Sequence, residues 1–277
     1  MKKFLVLLSL AFAVYSAPAQ KKGKIKGNKE VLIKKFDLPH FTALDLDEHF
    51  KVRLQKAIDT TRVIIETDDN LFDVIHFKVE NGVLQFYTTM EIVKKKRLRI
   101  TIFVPEDFNR ITLHQHAEVF NDENLNLSSL TLETNDKTKA NLNLHLKDKW
   151  VVNALGKSES DIEVYAGEAA IYLSEDAFMK GVLNIKKLSL TMDDHAKAKL
   201  SGEVAQMTLK IKEKAKIDAV ELNVKKAVIK AFDKASLEIT VKDLAELYLS
   251  GHTKTFLYGN PKIKLKAFED NAILYKK

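Results

Sequence analysis

The sequence predicts an all-β chain, a parallel β-helix-like solenoid of about 20 residues per coil with N-terminal strands that extend or cap it. Two observations predict it. The first is a repeat: from each short turn the chain reads Asp194-His195-Ala196-Lys197-Ala198-Lys199-Leu200, then Glu213-Lys214-Ala215-Lys216-Ile217-Asp218-Ala219, then Asp233-Lys234-Ala235-Ser236-Leu237-Glu238-Ile239. The small residue of that unit recurs as Ala117, Thr138, Ser158, Ala177, Ala196, Ala215, Ala235 and Thr253, at intervals of 18 to 21 residues. The second is parity. Leu188, Leu190 and Met192 precede Ala196 at even offsets, Met207, Leu209 and Ile211 precede Ala215 likewise, and Ala198 and Leu200 or Ile217 and Ala219 follow with the same parity. A period of two belongs to strands. Lys, Ala, Glu and Leu favour helix, and Ala205 to Ala231 looks helical by propensity. A helix, however, would scatter the even-offset residues around its circumference, so pattern outweighs propensity.

Met1 to Ala19 has a basic start at Lys2 and Lys3, an apolar run from Phe4 to Val14, and Ala17-Pro18-Ala19 before Gln20. These are the parts of a secretory signal peptide, residues 1–19. The run is shorter than the ~20 residues that span a bilayer, and no transmembrane segment is expected in the mature chain. Export is therefore expected. With no cysteine among 277 residues, disulfides, thiol-based metal and redox motifs and cysteine lipidation are excluded. The formal charge of +7 is mild for the length, and nucleic acid is not an expected partner. Residues 20–30 crowd Lys21, Lys22, Lys24, Lys26 and Lys29 around Gly23 and Gly27, which reads as a flexible basic linker.

Residues 31–277 form the solenoid domain. Its first part alternates in short runs at Leu44-Asp45-Leu46, Val52-Arg53-Leu54, Val63-Ile64-Ile65, Phe77-Lys78-Val79, Leu84-Gln85-Phe86 and Leu98 to Val104, as half-buried strands do. Asp68-Asp69-Asn70 and Asn81-Gly82 supply the turns, the second being a hairpin signal. From Ile111 the repeat takes over, with two strands per unit joined at Asp193-Asp194-His195 and its equivalents. Stacked at about 4.8 Å per coil, the anchors span about 34 Å. They form one inward column; Leu132, Val152, Ile171, Leu190, Leu209, Ile229 and Leu247 form a second, and Leu142, Ile162, Leu200, Ala219, Ile239 and Leu257 a third.

Both ends resemble a known family. Phe36-Asp37-Leu38-Pro39-His40-Phe41, the run Val63 to Leu71, Asn81-Gly82-Val83-Leu84, Ser250-Gly251-His252-Thr253 and Tyr258-Gly259-Asn260-Pro261-Lys262-Ile263 are similar to the putative auto-transporter adhesin family, head GIN domain. The resemblance covers Val31 to Tyr275 and implies an exported protein of Gram-negative bacteria, in the periplasm or at the cell surface, with a parallel β-helix-like fold and no catalytic residues to carry over. Where family members place Ser-Gly-rich corners, this chain has Asp194-His195-Ala196, Glu213-Lys214-Ala215 and Asp233-Lys234-Ala235.

The residues raise three chemistries. For metal binding, His114 and His116 share one strand face, and His116, His195 and His252 hold one corner position. His116 and His195 are then about 19 Å apart, so no metal site and no cofactor is expected. For a polysaccharide-processing enzyme, Asp193, Asp194, Glu213 and Asp233 could supply the two close carboxyls that glycoside cleavage needs. Each of the last three adjoins a basic residue or histidine, and a charge-balanced corner is the simpler reading. No nucleophile elbow, phosphate loop or His-Glu-x-x-His motif is present. For binding, the basic strip Lys197, Lys214, Lys216 and Lys234 and the outward aromatics Tyr172, Phe232 and Tyr248, together with Phe178 and Phe256, are the candidate contact residues. The expected function is a non-enzymatic binding and structural module, an adhesin, with a surface glycan or another cell-envelope protein as partner.

Overall fold

A column of left-handed residues sets the fold. The computed structural model describes residues 22–277; the expected signal peptide lies outside the described residues. Glu48 (φ 60), Gln115 (φ 56), Asp136 (φ 56), Gly156 (φ 68), Glu175 (φ 58), Asp194 (φ 53), Glu213 (φ 57), Asp233 (φ 60), Gly251 (φ 74) and Asp270 (φ 58) each turn the chain through the same corner. The residue after each donates its N–H to the carbonyl of the left-handed residue one coil earlier, as in Lys137 to Gln115 (2.9 Å), His195 to Glu175 (2.9 Å) and Lys214 to Asp194 (2.8 Å). The result is a β-solenoid of about 9 turns of about 19 residues.

Two residues beyond each left-handed position from Gln115 onward the chain points inward, into a tight corner filled by a small side chain; in the capping coil the same position is the buried Phe50. The anchors Ala117, Ala177, Ala196, Ala215, Ala235, Thr138 and Thr253 are accordingly fully buried. The second inward column is observed in full. Leu132 pairs with Val152, Val152 with Ile171, and so on through Leu190, Leu209 and Ile229 to Leu247. It extends at one end to Ile111, Leu44 and Leu84, and at the other the register continues to Leu265, which is exposed. In the third column Gly181 lies between Ile162 and Leu200.

One detail differs from the expectation of two strands per unit. From Glu159 to Leu249 each coil is a single extended segment of 14 to 16 residues, such as Lys197–Ile211, and the next coil divides again into Lys254–Tyr258 and Lys262–Phe268. The chain bends inside that segment by setting two successive residues outward, as at Lys186-Lys187 and Lys225-Lys226. Such a step flips the parity, and neighbouring coils take it together, Ile185 beside Val204 and Lys187 beside Gln206. Where the anchor spacing rises to 20, between Ala215 and Ala235, the extra residue is taken up by a shift in register between Lys199 and Gly202, and the fall to 18 on the next coil by shifts between Ala219 and Asn223 and between Val224 and Lys226.

The N-terminal strands cap one end of the stack. Ala43–Leu46 and Lys51–Lys56 form a coil on which the later coil of Arg110–Leu113 and Glu118–Phe120 sits. On the opposite side of that coil lie Val83–Thr88 and Leu98–Val104. Antiparallel pairings of Ile75–Glu80 with Val83–Thr88, and of Val31–Asp37 with Arg62–Asp68, close the end. Asn81 (φ 50) and Gly82 (φ 75) make the expected hairpin turn. The expected linker, residues 20–30, is corrected in part: Lys24–Lys26 is a strand parallel to Glu91–Lys94. Its one apolar residue, Ile25, packs against the core, and Lys24 pairs with Glu91 at 3.7 Å. Lysine and glycine content concealed a three-residue strand that needs only one inward side chain.

Candidate functional site: the basic corner

The corner chemistry follows from the backbone. A non-glycine residue in the left-handed region is disfavoured, and at Gly156 a Cβ would fall 2.5 Å from the Asp136 nitrogen. Acids occupy this column because their carboxylates reach back one coil to a backbone N–H that the turn leaves free. Asp136 Oδ2 accepts from Gln115 (3.0 Å), Glu175 Oε2 from Gly156 (3.1 Å), Asp194 Oδ2 from Glu175 (3.2 Å), Asp233 Oδ2 from Glu213 (3.3 Å) and Asp270 Oδ2 from Gly251 (2.9 Å). This is why Asp-His-Ala and its variants can stand where Ser-Gly corners were expected.

Asp194 also accepts the Ser174 hydroxyl at 2.5 Å. That bond, then the Glu175 N–H and the nearby charges of Lys212 and His195, hold its carboxyl below the usual aspartate range against the opposing effect of burial. Asp193 pairs with Lys212 at 2.6 Å and accepts the Asp194 N–H. A glycosidase acid needs its pKa raised, and Asp194 is shifted in the opposite direction.

The lysines beside these acids differ in kind. The residue one past the left-handed position and the one three past it both point outward, on either side of the buried anchor. Lys214 and Lys234 therefore stack at the corner, through Lys214 N to Asp194 O and Lys234 N to Glu213 O, both 2.8 Å. Lys197 lies in register with Lys216, and Lys216 with Ser236, which is followed by Lys254. The four expected lysines thus share one patch, with His195 and His252 in its corner column. Among the described residues, none of these lysines forms an ion pair; the pairs nearby are Lys199–Asp218 (3.9 Å) and Lys212–Asp193 (2.6 Å). Lys254 belongs to the patch and was missed, although its place directly after the anchor Thr253 carries the same signal as Lys197 after Ala196.

The expected aromatics do not form one platform. Tyr172 and Tyr248 share an outward column but are separated by Thr191, Lys210 and Lys230, about 19 Å along the stack. Tyr248 lies under Lys230, 5.5 Å from ring centroid to Nζ, and its hydroxyl donates to Glu246 at 2.7 Å. Phe232 sits in the corner turn between the patch and that column. Phe178 lies next to Lys197, whereas Phe256 stacks on Tyr275 at 4.7 Å.

The histidines also separate. His114 and His116 do not share a strand face: they flank Gln115 in the corner turn, His114 turned to Asp45 (3.3 Å) and His116 stacked on His49 (4.6 Å). The positive φ at Gln115 breaks the alternation that a strand would have kept. His116 and His195 do hold one corner column, with Lys137, Lys157 and Asp176 between them. Among the described residues no three His, Asp or Glu side chains converge as a metal site, and no helix there is long and apolar enough to cross a membrane.

A family model described as putative auto-transporter adhesin, head GIN domain, matches residues 40–158 and 151–261. No curated protein matches the chain. Among solved structures, a putative adhesin from Parabacteroides merdae is similar with a TM-score of 0.67 at 17% identity, over 91% of this chain and 98% of that one. A putative adhesin from Parabacteroides distasonis gives 0.61 at 14%, over 91% and 100%. A putative lipid binding protein from the same species gives 0.63 at 12%, over 92% and 99%. At these identities the structural likeness shows the fold alone.

Proposed function

The chain belongs to the putative auto-transporter adhesin, head GIN domain family, and from that premise we propose that it is an exported, non-catalytic binding and structural module of the cell envelope. Its basic corner docks an anionic surface polymer. One observation carries this reading: on a single corner Lys197, Lys214, Lys216, Lys234 and Lys254 outnumber Asp194, Glu213 and Asp233, and among the described residues none of those lysines forms an ion pair, the pairs nearby being Lys199–Asp218 and Lys212–Asp193. That excess of positive charge sits on a rigid ladder with a repeat of about 4.8 Å. An extended polymer with regularly spaced anionic groups matches that geometry. The family and the adhesin names of the neighbouring structures support the adhesive role, and the leader of residues 1–19 supports export.

Salt dependence tests the reading. Retention of the purified mature chain on an anionic glycan matrix should be strong at low ionic strength and fall steeply as screening shortens to about 8 Å near physiological salt and further above it. Retention that does not change with salt would contradict charge-led docking.

A further inference from the structure

The cap and the first coil part company at one place. Val83–Thr88 runs beside Ala43–Leu46 only through Val83, Leu84 and Gln85. Beyond Leu46 the inner strand enters the corner at Glu48 (φ 60), whereas Val83–Thr88 continues straight, held by its antiparallel partner Ile75–Glu80. The divergence opens a cleft of about 790 Å³, inside the range of roughly 300–1,000 Å³ that small-ligand sites occupy.

Its lining is arranged before any ligand arrives. Asp45 is fixed from two sides: Gln85 Nε2 donates to Oδ2 at 3.1 Å, and His114 Nε2 stands 3.3 Å from Oδ1. Tyr87 lines the cleft 43% exposed, its ring backed by His76 at 5.4 Å. Asp47 and Asp136 also line it, and the one lysine of the lining, Lys78, is paired with Glu80 at 2.5 Å. Three carboxylates with one neutralised lysine disfavour an anion, and the polar floor disfavours a purely apolar ligand. A sugar ring satisfies both walls, because it offers an apolar face to an aromatic ring and hydroxyls to carboxylate, amide and imidazole.

We propose that this cleft binds a neutral saccharide unit, its ring stacked on Tyr87 and its hydroxyls shared among Asp45, Gln85 and His114. The site is separate from the lysine ladder: His116, at the cleft end of the corner column, stands four coils from His195, about 19 Å. Binding here is led by shape and hydrogen bonds, so it should be insensitive to salt where the ladder is not.

The test titrates the full mature chain with neutral hexasaccharides of glucose, galactose, mannose and N-acetylglucosamine, followed by saturation-transfer NMR and calorimetry. At least one probe should bind, with an affinity unchanged between about 0.05 and 0.5 M salt. Tyr87→Ala should weaken it about tenfold, with Tyr87→Phe retaining it. Asp45→Asn should weaken it without lowering the melting temperature, and Lys197→Glu/Lys216→Glu/Lys234→Glu should leave it intact. Absence of binding by every probe, or an affinity that Tyr87→Ala leaves unchanged, overturns the assignment. Binding lost only in the lysine variant would place the sugar on the ladder and overturn it equally.

Discussion

Asp194 Oδ2 accepts the backbone N–H of Glu175, one coil earlier, at 3.2 Å. Both residues are left-handed, and Glu175 in turn accepts from Gly156 at 3.1 Å. The carboxylate thus compensates for the backbone conformation that its own residue is forced to adopt.

Replacing Asp194 separates the two effects. Asp194→Ala keeps the disfavoured φ and loses both acceptor bonds, whereas Asp194→Gly loses the bonds but removes the strain. The melting temperature should fall for both, with the glycine variant higher by roughly 2–4 °C, the shift typical of about 1 kcal/mol in a chain of this size. Equal melting temperatures would show that the left-handed conformation carries no cost at this corner.

Acid should act at the same residue. The Asp194 carboxyl has its pKa lowered, first by the Ser174 hydroxyl and then by the Glu175 N–H. A depressed folded value means the stabilisation is fully present above the ordinary aspartate pKa, 3.8, and is lost as pH falls through the folded value. The gap in stability between the wild type and Asp194→Asn should be constant from neutral pH to about 5 and shrink below 3.8. Urea midpoints measured across that range decide it; a gap that closes near neutral pH would assign the stabilisation elsewhere.

The inward column makes a sharper claim. Leu209 is fully buried between Leu190 and Ile229, and Lys210 beside it is exposed between Thr191 and Lys230. Leu209→Asp should cost several kcal/mol, for a carboxylate without a partner in the core, while Lys210→Asp should stay within about 0.5 kcal/mol. Calorimetric unfolding of the two variants provides the comparison, and similar losses would refute the strand register.

Export is tested by mass. Ala17 and Ala19 supply the small residues before the cut, so the exported chain should begin at Gln20. Intact-mass measurement of the exported fraction should show that terminus; a fraction retaining Met1 would remove the leader.

Much of this was legible because a solenoid repeats its own chemistry. Ala196, Ala215 and Ala235 align in the sequence for the reason they align in space: each fills the same tight corner. Leu209 could be placed inside and Lys210 outside by parity alone. Parity did not extend across the bend at Lys225-Lys226, where two outward residues in succession reset it, so two strands were expected where one bent segment runs. The lysine patch was legible from offsets, since Lys197 and Lys216 follow aligned anchors. The cleft was not. Asp45 and Gln85 become neighbours through a pairing between chain segments 40 residues apart that no repeat announces, and His114 meets Asp45 only because the chain turns left-handed at Gln115.

The central functional claim is that the lysines of the corner dock an anionic polymer, and the triple variant Lys197→Glu/Lys216→Glu/Lys234→Glu tests it most directly. All three side chains are exposed, so circular dichroism and the melting temperature should match the wild type. Retention on an anionic glycan matrix at low salt should then be abolished in the folded variant. Unchanged retention would contradict the proposal and remove this corner as the docking face.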